Sequence, residues 1–172
     1  MPGLRFTFLA LAFFLPSTTA LAQETAAPSP MPGLRLFAGY ARLASDDGVA
    51  SGHGGVLGLQ GHFWPASAFT PYWGAQVLGA GVSEGFLPVL SGEFGARVMP
   101  WPSAAVRPYL RASAGLSFVL ILPFPNGALS AGVALPVGGT VLDLGVTGRR
   151  AFNLLNPGNA VDEVSVQLGF GF

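Results

Sequence analysis

The sequence predicts an all-β chain: an eight-stranded antiparallel up-and-down β-barrel that spans a membrane. Three observations carry this. Apolar and polar or tiny residues alternate with period two in eight separate runs, as they do along a strand with one greasy face. Hydrophobic residues make up 51% of the chain and charged residues only 9%, against roughly 25% charged in ordinary soluble domains. Glycine or proline interrupts every long apolar run after the first 22 residues, which argues against transmembrane helices. A closed barrel is the other way to satisfy backbone groups in lipid.

The first segment reads as an export signal, residues 1–22. Arg5 supplies the positive region, Phe6 to Leu15 the apolar stretch, and Ala20-Leu21-Ala22 the small-residue cleavage site. Residues 23–33 are rich in Ala and Pro, lack periodicity and read as a disordered lead. The barrel is expected over residues 34–172. There is no cysteine, which excludes disulfides and thiolate metal sites. All basic residues are arginine, and the balance near neutrality gives nucleic-acid binding no electrostatic support.

The eight runs follow in order. The first, Leu34 to Leu43, sets Leu34, Leu36, Ala38 and Tyr40 against Arg35, Phe37 and Gly39. The second spans Gly54 to Trp64, with His62 on the face opposite Leu57 and Leu59. The third spans Tyr72 to Val82, with Trp73, Ala75 and Val77 on the apolar face. The fourth, Pro88 to Met99, alternates Leu90, Phe94, Ala96 and Val98 with Ser91, Glu93, Gly95 and Arg97. The fifth runs from Arg107 to Leu122, with Tyr109, Arg111, Ser113 and Ser117 on its polar face. Asn126-Gly127 predicts a tight turn into a sixth strand, Ala128 to Val137. Gly138-Gly139 turns the chain into a seventh, Thr140 to Arg149, with Asp143 and Thr147 inward. The eighth, Val161 to Phe172, ends on a bare aromatic.

Val164, Val166, Leu168, Phe170 and Phe172 place an apolar residue at every second position up to that terminal Phe. This pattern resembles the C-terminal signature of the small eight-stranded outer-membrane barrels, of the OmpA transmembrane domain, OmpX and OmpW types. The resemblance covers about Leu34 to Phe172. It implies insertion into an outer membrane by the barrel-assembly machinery and contact with outer-membrane lipid and lipopolysaccharide. It implies no particular activity. A monomer is expected.

With termini in the periplasm, Trp64, Trp73 and Trp101 share one level with Phe172, as an aromatic girdle does at a bilayer interface. Six charges fall on the inner face: Arg35, Glu93, Arg97, Arg111, Asp143 and Glu163. Inside so narrow a barrel they must pair, so they read as an ion-pair network that plugs the lumen, with Glu93–Arg111 the preferred pair. A gated ion path through that plug is the functional alternative.

Other features carry weaker signals. Asp46, Asp47, Ser51 and His53 bring together the residue types of a nucleophilic triad, but nothing in a Gly-rich loop ensures the geometry, and a solvated loop is expected. The glycines from Gly52 to Gly61 lack the ending of a nucleotide loop. His53 and His62 fall at opposite ends of one strand, so no metal site is expected, and no cofactor. Val119 to Phe124 is unusually apolar for a rim loop: it extends the fifth strand or serves a passage for small hydrophobic molecules. The expected role is structural or surface-interacting and not enzymatic, with an outer-leaflet lipid-modifying enzyme as an alternative.

Overall fold

The computed structural model describes residues 33–46, 51–63, 67–83, 85–153 and 159–172. The expected export signal, nearly all of the lead, Asp47 and Trp64 lie outside them. Eight strands follow in chain order: β1 (Leu34–Ser45), β2 (Gly52–His62), β3 (Phe69–Val82), β4 (Gly85–Val98), β5 (Arg107–Val119), β6 (Leu122–Val137), β7 (Thr140–Phe152) and β8 (Ala160–Gly171). Each pairs antiparallel with its neighbours, and β8 closes on β1. At the seam Leu34 and Phe172 exchange backbone hydrogen bonds of 3.2 and 2.9 Å. Closure removes the sheet edges that lipid cannot solvate.

The alternation read from the sequence decides which way each side chain points. Val164, Val166, Leu168, Phe170 and Phe172 project from the outer surface and are exposed, while Glu163, Ser165 and Gln167 between them are buried. An apolar exterior and a polar interior invert a soluble barrel, as hydrocarbon surroundings require. Trp73 and Trp101 lie at the end of the barrel that carries the termini, and Tyr40, Phe86, Phe118 and Phe152 lie nearer the opposite, far end.

The strands are tilted, and the ladder shows it. The rung that starts at Arg35 passes through Gln60, Gly74, Glu93, Gly115, Asn126, Ala151 and Val161 and returns to β1 at Ser45. Such a stagger accompanies strands inclined roughly 35–45° to the barrel axis. It also sets Arg35, Gln60 and Glu93 on one inward-facing rung.

One expected turn is displaced. Asn126 and Gly127 lie within β6, opposite Gly115 and Ala114, and the chain reverses instead at Leu120-Ile121. The Asn-Gly propensity is local. It yields because Asn126 donates to the Ser117 hydroxyl at 2.8 Å and accepts from Arg149 at 3.2 Å inside the lumen. The displaced turn puts Leu120 at φ 58°, a left-handed conformation that costs a branched apolar residue about 1–2 kcal/mol. β6 therefore begins six residues earlier than expected, and Leu122 to Pro125 pair with β5 alone.

The lumen is filled throughout. Phe37, Ala41, Leu43, Val56, Leu78, Ala80 and Val89 form a buried apolar cluster toward the far end. Met99, Tyr109, Ala134 and Val141 form a smaller one toward the termini. Large inward rings are paired with glycines on the next strand: Phe37 opposite Gly58, and Tyr109 opposite Gly132. A Cβ at either glycine would overlap the facing ring. Gly58→Val and Gly132→Val are therefore expected to destabilise the barrel by about 1–3 kcal/mol through overpacking, whereas Gly92→Ala meets open space and is expected to be neutral. Urea unfolding in detergent micelles, followed by the heat-dependent gel shift, measures all three.

Candidate functional site

Period-two alternation sends alternate residues of each strand into a space that eight strands leave just wide enough for side chains. Arg35, Glu93, Arg97, Arg111, Asp143 and Glu163 all lie there and are buried, joined by Gln60, Gln76, Tyr109 and Gln167. Two further arginines, Arg107 and Arg149, are buried on the same inner face.

The charges form two linked groups. Toward the termini, Arg35 Nη2 meets Asp143 Oδ1 at 2.5 Å, and its Nη1 donates to Gln60 Oε1 at 2.8 Å. The Tyr109 hydroxyl donates to the same Asp143 oxygen at 2.8 Å and accepts from Arg111 Nη2 at 3.2 Å. Arg111 Nη1 also donates to Gln60 Oε1. Toward the far end, Arg149 bridges two carboxylates, with Nη2 at 2.8 Å from Glu93 and Nε at 3.3 Å from Glu163. Ser113 donates to Glu93 at 3.0 Å, and Gln76 donates to Glu163 at 3.1 Å. Gln60 Nε2 reaches Glu93 Oε1 at 3.4 Å and ties the two groups together.

These bonds run across the lumen and not only along its wall. Arg35 and Asp143 sit on β1 and β7, and Arg149 on β7 reaches Glu93 on β4. The expected Glu93–Arg111 pair is replaced. Arg111 lies directly opposite Arg97 in the β4–β5 ladder and turns to neutral acceptors, while Glu93 takes Arg149. Arg149 was legible in the sequence: the parity that places Asp143 and Thr147 inward places Arg149 inward too.

The rim residues do not assemble into a triad. The Asp46 carboxylate accepts from Arg150 at 3.0 Å and from the Ala160 backbone at 3.3 Å, which draws it toward β7 and β8. His53 points outward and stacks on Tyr40, with ring centroids 6.2 Å apart. Ser51 is exposed just before β2, and Asp47 lies outside the described residues. His62 lies inward at the termini end, remote from His53 along β2. The apolar stretch from Val119 to Phe124 is a tight hairpin tip, not an opening. Beneath it, along the inner wall, Asn126 on β6 donates to Ser117 on β5, which is hydrogen-bonded to Ser91 on β4.

The chain matches no protein-family profile and no curated protein sequence. Solved structures do match. The outer-membrane enzyme PagL superposes with a TM-score of 0.60 at 17% identity, over 77% of this chain and 97% of PagL. The neisserial surface protein NspA superposes with a TM-score of 0.57 at 15% identity, over 81% of this chain and 97% of NspA. The first likeness corrects one expectation. The sequence alone favours a barrel without enzymatic activity, but an outer-membrane enzyme is built on this architecture, so that exclusion does not stand. At these identities the likeness concerns the fold, which is that of the eight-stranded antiparallel transmembrane barrels of outer membranes.

Proposed function

We propose that this protein resides in an outer membrane with its termini in the periplasm, that its lumen is closed by side chains, and that it acts through its outward surface. The observation that carries this reading is the set of ion pairs and hydrogen bonds that crosses the lumen, from Arg35–Asp143 to Glu93–Arg149–Glu163. Above and below it lie the two apolar clusters. A solute path would need to separate buried, mutually neutralised charges, and unpaired burial of that kind costs several kcal/mol per ion.

The surface element this reading favours is the β5–β6 hairpin. Its tip is apolar where a solvent-facing loop is ordinarily polar: Leu120 is 69% exposed and Ile121 87%. Leu120 also holds a strained backbone conformation. Strain and exposed apolar surface at one point together support a contact role there. Pro123 and Pro125, where β6 has no β7 partner, withhold the N–H groups that would invite a foreign strand. The contact is therefore through side chains and not by strand addition.

Three outcomes are expected. In planar bilayers the purified protein gives no steady conductance, and large stable channels would overturn the closed lumen. Asp143→Ala leaves Arg35 without its carboxylate and lowers stability by about 3–5 kcal/mol, read as a lower urea midpoint in micelles. Cells producing Ile121→Asp partition into a hydrocarbon phase less than cells producing the native chain; equal partitioning at equal surface levels would remove the hairpin from the proposed role.

A further inference from the structure

We propose that the lipid-facing surface of β1, β2 and β3 binds one phosphate-bearing lipid of the outer leaflet, with its phosphate on Arg42 and an acyl chain in the groove below. The orientation is that of the function proposed above, so this inference rests on it.

Arg42 stands on the outward row of β1, two residues beyond Tyr40, beside His53 on β2 and Val164 on β8. Its side chain is exposed, and among the described residues it has no hydrogen bond or ion pair. Every other described arginine is engaged by the protein. The described carboxylates nearest Arg42 are committed. Asp46 and Asp162 hold Arg150 at 3.0 and 3.4 Å. On β3 to β6 the described outward rows carry no charged residue at all. An uncompensated guanidinium on a lipid-facing row is costly at depth and tolerated near the headgroups, where it can meet an anion. A phosphate is the anion that its planar fork fits best, through two parallel hydrogen bonds. His53 adds a second donor at the same level, steadied by its stacking on Tyr40.

The surface beneath completes the site. A depression of about 590 Å³ opens on the same face, walled by Leu36, Leu57, Val77 and Leu90, with Ala38 and Ala75 among the small residues lining it. Ala38 lies four residues below Arg42 on one outward row, about 13 Å along the strand. Cation above and apolar groove below match a phosphorylated headgroup and its chain. A second depression, about 600 Å³, lies across β4 to β7. The cation above that one is Arg150, already held by two carboxylates. Only the first groove therefore offers its lipid an unanswered charge.

The test uses the refolded full chain in detergent micelles, with bisphosphorylated lipid A, the same lipid dephosphorylated, and inorganic phosphate as probes, read by native mass spectrometry. Arg42→Gln is expected to weaken binding of the phosphorylated lipid about tenfold or more, with Arg42→Lys retaining part of it. The dephosphorylated lipid is expected to bind the native chain no better than the phosphorylated one binds Arg42→Gln. Ala38→Trp, which fills the groove, is expected to weaken both lipids. Equal affinity of native protein and Arg42→Gln would overturn the phosphate site, and so would equal affinity for the two lipids. Full displacement by inorganic phosphate would make it a site for the small anion and overturn the lipid assignment. Unchanged binding in Ala38→Trp would remove the groove. The heat-dependent gel shift shows that each variant has folded. Protease access to the β5–β6 tip on intact cells checks the orientation separately, so a reversed or displaced barrel is distinguishable from a failed lipid site.

Discussion

An arginine buried inside an eight-stranded barrel must find its counter-charge within the barrel itself, and much of this structure follows from that requirement. Arg35 and Arg149 are buried, with an apolar cluster toward either end of the lumen, and so have little exposure to solvent. Each therefore reaches across the lumen to an acid on another strand. Those cross-links join strands that are not neighbours in the ladder, which the backbone hydrogen bonds alone never do. The register of every strand must then hold both its wall partners and its lumen partners at once. The yielding of the Asn126-Gly127 turn shows which demand wins. A favourable local turn type is worth less than placing Asn126 between Ser117 and Arg149.

The barrel presents two distinct outer surfaces at its far end. On β7, β8, β1 and β2 the outward rows carry Arg150, Asp162, Arg42 and His53 near the far end. On β3 to β6 the rows stay apolar to the hairpin tips, through Phe86, Phe118, Leu120 and Ile121. One side of the far rim is thus suited to polar headgroups and the other to apolar contact. The interior repeats the contrast along the barrel axis, with charges toward the middle and greasy plugs at either end. Glycine is the residue that allows this packing. Gly58 and Gly132 leave room for Phe37 and Tyr109 to lie flat against the neighbouring strand inside the lumen.

Fold and face were legible in the chain because period two is a local property that every residue reports. The parity that puts Leu90 on the outside puts Glu93 and Arg97 on the inside. The eight strands, their order and the inward set that includes Arg35, Asp143 and Glu163 therefore needed no tertiary information. Even Arg149 could have been placed by carrying the parity of Asp143 two steps past Thr147. What parity does not contain is who faces whom across the lumen. That depends on the stagger accumulated around the whole barrel, which returns the Arg35 rung to β1 at Ser45.

By itself, then, the sequence determined a closed membrane barrel, the orientation of its side chains and the need for its buried charges to be paired. These are consequences of alternation and composition, and both are written residue by residue. Only the tertiary structure decided that Glu93 answers Arg149 and not Arg111, that the hairpin turns at Leu120 and not at Asn126, and that the outward Arg42 has no ion-pair partner among the described residues. Each of those is a contest among residues far apart in the chain, settled by the one stagger that closes eight strands with the lumen filled.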